Sequence, residues 1–88
     1  MLGKVTEGTV ISIFPNPASG YFNLKLDNIN GKPYSVLLYN TLGQEVKRYE
    51  NISGANQMID CKNLTNGLYH IEVRQNKMLI GQSKFIKE

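Results

Sequence analysis

Apolar and polar residues alternate one for one along most of the chain. In YFNLKL, Phe22, Leu24 and Leu26 fall on one face, and Tyr21, Asn23 and Lys25 on the other. YHIEV repeats the pattern, setting Tyr69, Ile71 and Val73 against His70, Glu72 and Arg74. A period of two belongs to β-strands with one buried and one solvated face, because successive side chains of a pleated backbone point to opposite sides. No window of about 11 residues carries a helical stripe, and glycine- or asparagine-rich punctuation recurs about every 8 to 12 residues. The pattern predicts strands near 9–14, 21–26, 34–40, 44–51, 56–61, 68–75 and 78–87, as in an all-β sandwich or small barrel. The inward parity of these strands nominates Leu24, Leu26, Val36, Leu38, Ile59, Tyr69, Ile71, Val73 and Phe85 as core, with Cys61 alongside.

The connections carry turn chemistry. NTLG (40–43) and QNK (75–77) suit tight hairpin links, with Asn40, Gly43 and Asn76 able to take positive φ, while DNINGKP (27–33) and NISGAN (51–56) suit longer loops. FPNPASG (14–20) stops the first strand with two residues that have no backbone N–H to donate, and Asn16 is held extended because it precedes a proline. The expected path is extended or polyproline-like, with Ser19-Gly20 turning into the second strand; PNP lacks the PxxP spacing of polyproline ligands. In LTNGLY (64–69), a leucine, a glycine turn and a strand-opening tyrosine predict a tyrosine corner, in which the Tyr69 hydroxyl bonds back to a nearby backbone group.

Composition narrows the function. Eighty-eight residues make a single core, expected over 9–88, with the weakly patterned residues 1–8 read as a linker remnant or an added leader without the apolar centre of a signal peptide. Ten Lys and Arg against seven Asp and Glu give a net charge of +3, but the cations are scattered and only Lys47 and Arg48 adjoin. Nucleic-acid binding needs a clustered stripe, so none is expected. No apolar run reaches the roughly 18 residues of a membrane span, which argues against direct membrane insertion by a helix. The lone Cys61 forbids an intramolecular disulfide and reads as a core thiol without an activating cation. His70 is the single histidine and pairs with Glu72 on a solvated face. Asp27, Glu45, Glu50, Asp60 and Glu72 sit on different elements, DNING (27–31) lacks the ligands and length of a calcium loop, and no phosphate-cradling loop or serine elbow occurs. No enzyme, metal or cofactor is expected.

Four segments, in this order, resemble one family. They are IFPNPASG (13–20), LYNTLGQEV (38–46), IDCKNLTNGLYHIEV (59–73) and the terminal SKFIKE (83–88). Together they resemble the type A C-terminal sorting domain of the type IX (Por) secretion system of Bacteroidetes. Pro15, Asn16, Pro17 and Gly20 match its first motif and Gly43 its second, with Asn40 where an aspartate is usual and Gln44 where an arginine often stands. Asp60, Leu64, Gly67 and Tyr69 match the third, Cys61 replacing an aliphatic residue, and Lys84, Phe85, Ile86 and Lys87 match the fourth, followed by Glu88. The resemblance implies a seven-stranded immunoglobulin-like Greek-key β-sandwich at the end of a large secreted or surface protein. It also implies an upstream passenger that crosses the periplasm, a type IX translocon that carries it to the cell surface or beyond, and a surface sortase-like cysteine protease that removes the domain, typically joining the passenger to anionic lipopolysaccharide. The competing reading is a small immunoglobulin- or fibronectin-like binding or spacer module, carbohydrate-contacting or adhesive, although the outward Tyr21, Tyr39 and Tyr49 show no evident clustering.

In the terminal segment, alternation places Phe85 inward and Ile86 on the opposite face with Lys84. Lys84, Ile86 and Lys87 are therefore the candidate receptor-recognition residues, the two lysines offering charge to an acidic or carboxylate-lined groove. The competing role for those lysines is to guard an edge strand against aggregation.

Overall fold

A computed structural model describes residues 9–27 and 31–88. It contains seven strands: β1 (Val10–Phe14), β2 (Tyr21–Asp27), β3 (Tyr34–Tyr39), β4 (Glu45–Ile52), β5 (Asn56–Asp60), β6 (Gly67–Gln75) and β7 (Met78–Lys87). Each lies within a residue or so of the span predicted by alternation. β1-β2-β5 form one sheet and β4-β3-β6-β7 the other, every pair of neighbours antiparallel. The chain crosses between the sheets at β2–β3, β4–β5 and β5–β6, giving the Greek-key order of an immunoglobulin-like sandwich. The DNING segment and residues 1–8 fall partly or wholly outside the described residues.

The core is what the inward parities predict. All nine nominated residues are buried, together with Phe22 and Cys61. Tyr34, on the same parity as Val36 and Leu38, joins them, as does Ala18, which no strand pattern announces. The phenyl ring of Phe85 sits between the Phe22 ring, centroids 4.5 Å apart, and the Tyr69 ring, stacked at 5.4 Å, so the final strand contributes the centre of an aromatic row. Tyr34 donates its hydroxyl to the Gly54 carbonyl at 2.7 Å and so ties the β4–β5 loop to the core.

The tyrosine corner is present. Tyr69 donates to the Thr65 carbonyl at 2.6 Å, and its hydroxyl lies 3.1 Å from Thr65 Oγ1. This bond pins the β5–β6 crossover over a ring that is already buried. At the β6–β7 hairpin both central residues, Asn76 (φ 52°) and Lys77 (φ 68°), have positive φ, the requirement of a type I′ turn. In the β3–β4 connection, Asn40 Oδ1 accepts the amides of Leu42 and Gln44, each at 3.0 Å, and Gly43 takes the left-handed position at φ 81°.

The path after β1 differs from the expected polyproline-like one. Residues 15–17 bend, with the Phe14–Pro15 and Asn16–Pro17 peptides both cis. The bend brings Asn16 and Ala18 onto the last strand, where they form hydrogen bonds that an extended exit would forgo.

Replacing Tyr69 by Phe removes the corner bond and keeps the ring. The expected loss is about 1–2 kcal/mol, the scale of a buried hydrogen bond, measured as a lower midpoint in denaturant melts; an unchanged midpoint would deny the corner its stabilising role.

Candidate recognition surface at one pole of the sandwich

The strand directions place the ends of several elements together. β1 ends at Phe14 opposite Asn23 near the start of β2, and Tyr21 of β2 lies opposite Asp60 at the end of β5. Tyr39 at the end of β3 pairs with both Glu45 and His70, and Gly67 at the start of β6 pairs with Lys87 at the end of β7. The 15–20, 40–44 and 61–66 connections and the terminal residues thus share one pole of the sandwich. Every family-motif position singled out in the sequence, from Pro15 to Lys87, lies at this pole or in the strand ends that enter it.

Hydrogen bonds join the segments there. Ala18 forms a parallel bridge with Lys87: its amide donates to the Ile86 carbonyl at 2.8 Å, and its carbonyl accepts the Glu88 amide at 2.7 Å. Asn16 Oδ1 accepts the Ile86 amide at 3.0 Å, so both backbone groups of Ile86 are held by the proline segment. Behind them the Cys61 amide donates to the Gly20 carbonyl at 3.0 Å, and Asp60 Oδ1 accepts the Lys62 amide at 3.0 Å, the self-capping use of an Asx side chain. Leu64 packs against the core from the crossover. Asn16, Gly20, Asp60, Leu64 and Tyr69 therefore each position backbone.

The terminal candidates divide. Lys84 and Ile86 are exposed, as alternation predicts. Lys87 corrects the expectation of an exposed charge, for it is only 7% exposed and its Nζ donates to the Glu88 carbonyl at 3.1 Å. The physical reason is parity: Lys87 lies two residues beyond the core Phe85, so its aliphatic stem runs along the inner face and only its head reaches out. Burial pushes the Cys61 thiol above its ordinary pKa, with the nearby Lys87 ammonium acting in the opposite sense. A raised pKa disfavours the thiolate, which is the nucleophilic form.

Apolar side chains not foreseen as a group complete the surface. Leu68 and Ile86 face each other across β6 and β7, both exposed, and Leu42, 80% exposed, tips the β3–β4 turn. Phe14 and Tyr21 are exposed on the other sheet at the same pole. Each alone is an ordinary surface residue; five at one end form an apolar rim. Their separation in sequence hid them, and only the strand directions reveal the cluster. Among the described residues no three His, Cys, Asp or Glu side chains group as metal ligands.

Single substitutions separate the two lysines. Lys84→Ala is expected to shift stability by no more than about 0.5 kcal/mol, as at most surface sites, whereas Lys87→Ala, which strips a buried stem, is expected to cost about 1 kcal/mol or more. Equal melting midpoints for the two variants would contradict this.

The family model described as a secretion system C-terminal sorting domain matches residues 12–88. Ulvan lyase NLR42 of Nonlabens ulvanivorans is 29% identical over 76 residues, covering 86% of this chain but only 14% of that protein. A crystal structure of an immunoglobulin-like protein from Pseudomonas aeruginosa has a TM-score of 0.49 and 11% identity, covering 97% of this chain and 95% of its own. With 12–88 matched and the four motifs gathered at one pole, the chain belongs to the C-terminal sorting domain family of the type IX secretion system.

Proposed function

We propose that residues 9–88 act as a folded address that is read at the motif-bearing pole. A domain of this family marks a protein for type IX secretion to the cell surface or the medium. In the reading proposed here, the passenger lies upstream in the same gene product, reaches the periplasm, and is carried through the outer membrane by the translocon engaging this pole. A surface sortase-like cysteine protease then removes the domain, with residues 1–8 as connecting linker. The 14% share of the ulvan lyase covered by the alignment supports a passenger that makes up most of such a protein. The domain itself performs no catalysis in this reading; the raised pKa of the buried Cys61 thiol supports that.

The observation that carries the proposal is the convergence of all four motifs on one pole with an exposed apolar rim. Most motif residues make the scaffold: they fix backbone through hydrogen bonds and turns. The surface available to a receptor is then Ile86 with its cross-strand partner Leu68, Leu42 at the same pole, and Lys84 on the same face of β7. Lys87 contributes by anchoring the strand that presents Ile86. Apolar contact supplies affinity, and a single cation at the edge supplies orientation.

A reporter fused ahead of the domain, expressed in a host with this secretion system, tests the reading. With Lys84→Ala and Ile86→Asp together, the isolated domain is expected to keep its melting midpoint, and the reporter to accumulate in the periplasm. Met78→Asp, at the opposite pole, is expected to leave export normal. Normal export by the Lys84/Ile86 variant would sink the recognition surface at this pole, and failure of the unaltered domain to export any reporter would sink the sorting role itself.

A further inference from the structure

A second surface adjoins that rim on the outer face of the four-stranded sheet. An open groove of about 420 Å³ runs over β3, β6 and β7, lined among others by Tyr39, Asn40, His70, Glu72, Arg74 and Gln82. Its centre is an ordered polar cluster. Glu72 Oε1 accepts from Arg74 Nε at 3.0 Å and lies 2.9 Å from Arg74 Nη2, while Arg74 Nη1 donates to the Lys77 carbonyl at 3.2 Å. Burial, followed by the charge of Glu72, raises the pKa of the Tyr39 hydroxyl. At one end Asn40 is locked by Gln44, Nδ2 to Oε1 at 2.8 Å. At the other, a shallower hollow continues along β7 past His70, Gln82, Ser83 and Lys84.

The chemistry of the lining selects an occupant. Arg74 is neutralised by Glu72, so the groove centre offers no free cation for a phosphate or an acidic peptide. The lining is polar, without the deep apolar pockets that anchor a protein partner, and the inner strands β3 and β6 are paired on both sides, leaving no backbone edge there for an extended peptide to join. What remains is a flat array of planar hydrogen-bonding groups already fixed in place, beside one aromatic ring. Preorganised amide, carboxylate and guanidinium groups bond paired hydroxyls, and an aromatic side chain gives a ring C–H face an apolar seat. We infer that this groove binds a short stretch of a neutral polysaccharide, with a sugar ring against Tyr39, its hydroxyls on Glu72, Arg74 and Gln82, and the next unit toward His70 and Ser83. The Glu72 and His70 positions are two residues apart, about 7 Å along the strand, which sets the direction of the bound chain. The groove shares the outer face of β6 and β7 with Leu68, Lys84 and Ile86, and the inference is separated from the sorting role by its readout, sugar binding and not export.

Amide spectra of the isotope-labelled 88-residue domain, titrated with cellohexaose, laminarihexaose and mannohexaose and, separately, with oligogalacturonate, provide the test. At least one neutral oligosaccharide is expected to shift the Asn40, Gly43, His70, Glu72 and Gln82 signals with a Kd of about 1 mM. Glu72→Gln is expected to weaken that binding about tenfold while leaving the remaining spectrum native. Gln82→Ala, at an exposed position, is expected to weaken it as well, so a misfolded Glu72 variant would not spare the proposal. Three outcomes overturn it: no shifts with any neutral sugar, shifts confined to the three-stranded sheet, or binding only to oligogalacturonate and lost in salt.

Discussion

Ile86 is gripped on both of its free backbone groups, by the Asn16 side chain and by the Ala18 amide, and the adjoining Glu88 amide reaches the Ala18 carbonyl. Without this stitch β7 would be an open edge strand at its last residues, frayed as terminal residues usually are. With it, Phe85 is held between Phe22 and Tyr69, and the two sheets are joined along one side. The far end of the same side is joined by the Thr9 amide to the Ile80 carbonyl at 3.1 Å. Gly81 fits this seam because a side chain there would meet the Thr9 carbonyl and Ile11 at 3.0 Å.

The opposite side of the sandwich is managed differently. β4 and β5 are edge strands of their respective sheets, joined in sequence by the 53–55 connection. β4 presents Glu45, Lys47, Arg48 and Glu50, and Arg48 binds both glutamates at 2.8 Å. Exposed pairs of this kind add little stability, but charges on an edge deter pairing with another chain. One side is thus sealed by hydrogen bonds and the other guarded by charge.

Much of this was legible in the sequence because a half-buried strand writes its burial into every second residue. The parities of β2, β3 and β6 read directly as core, and Tyr69 announced its corner through the glycine turn before it. Lys87 shows where such reading falters: its parity with Phe85 pointed inward, and its charge argued outward. The stem length of lysine satisfies both, which no alternation rule encodes. Leu37 is the mirror case, an outward position that is nonetheless only 4% exposed; it lies in the hollow it shares with Tyr39, Arg48 and Arg74, whose side chains come from three strands. Ala18 and the apolar rim depended on contacts between residues up to about seventy positions apart, so no local pattern could hold them.

The parallel run of residues 9–18 beside β7 also sets a polarity for the whole domain. Thr9 meets Ile80, seven residues of strand away from Lys87, or about 23 Å. Anything attached ahead of residue 9 therefore leaves from the end opposite the motifs. On the function proposed above, a receptor closing around the motif end would hold the domain like the handle of a tool, with the working part projecting from the other end. Cargo of any shape or surface would then hang clear of the grip, and a single small fold could serve many unrelated loads.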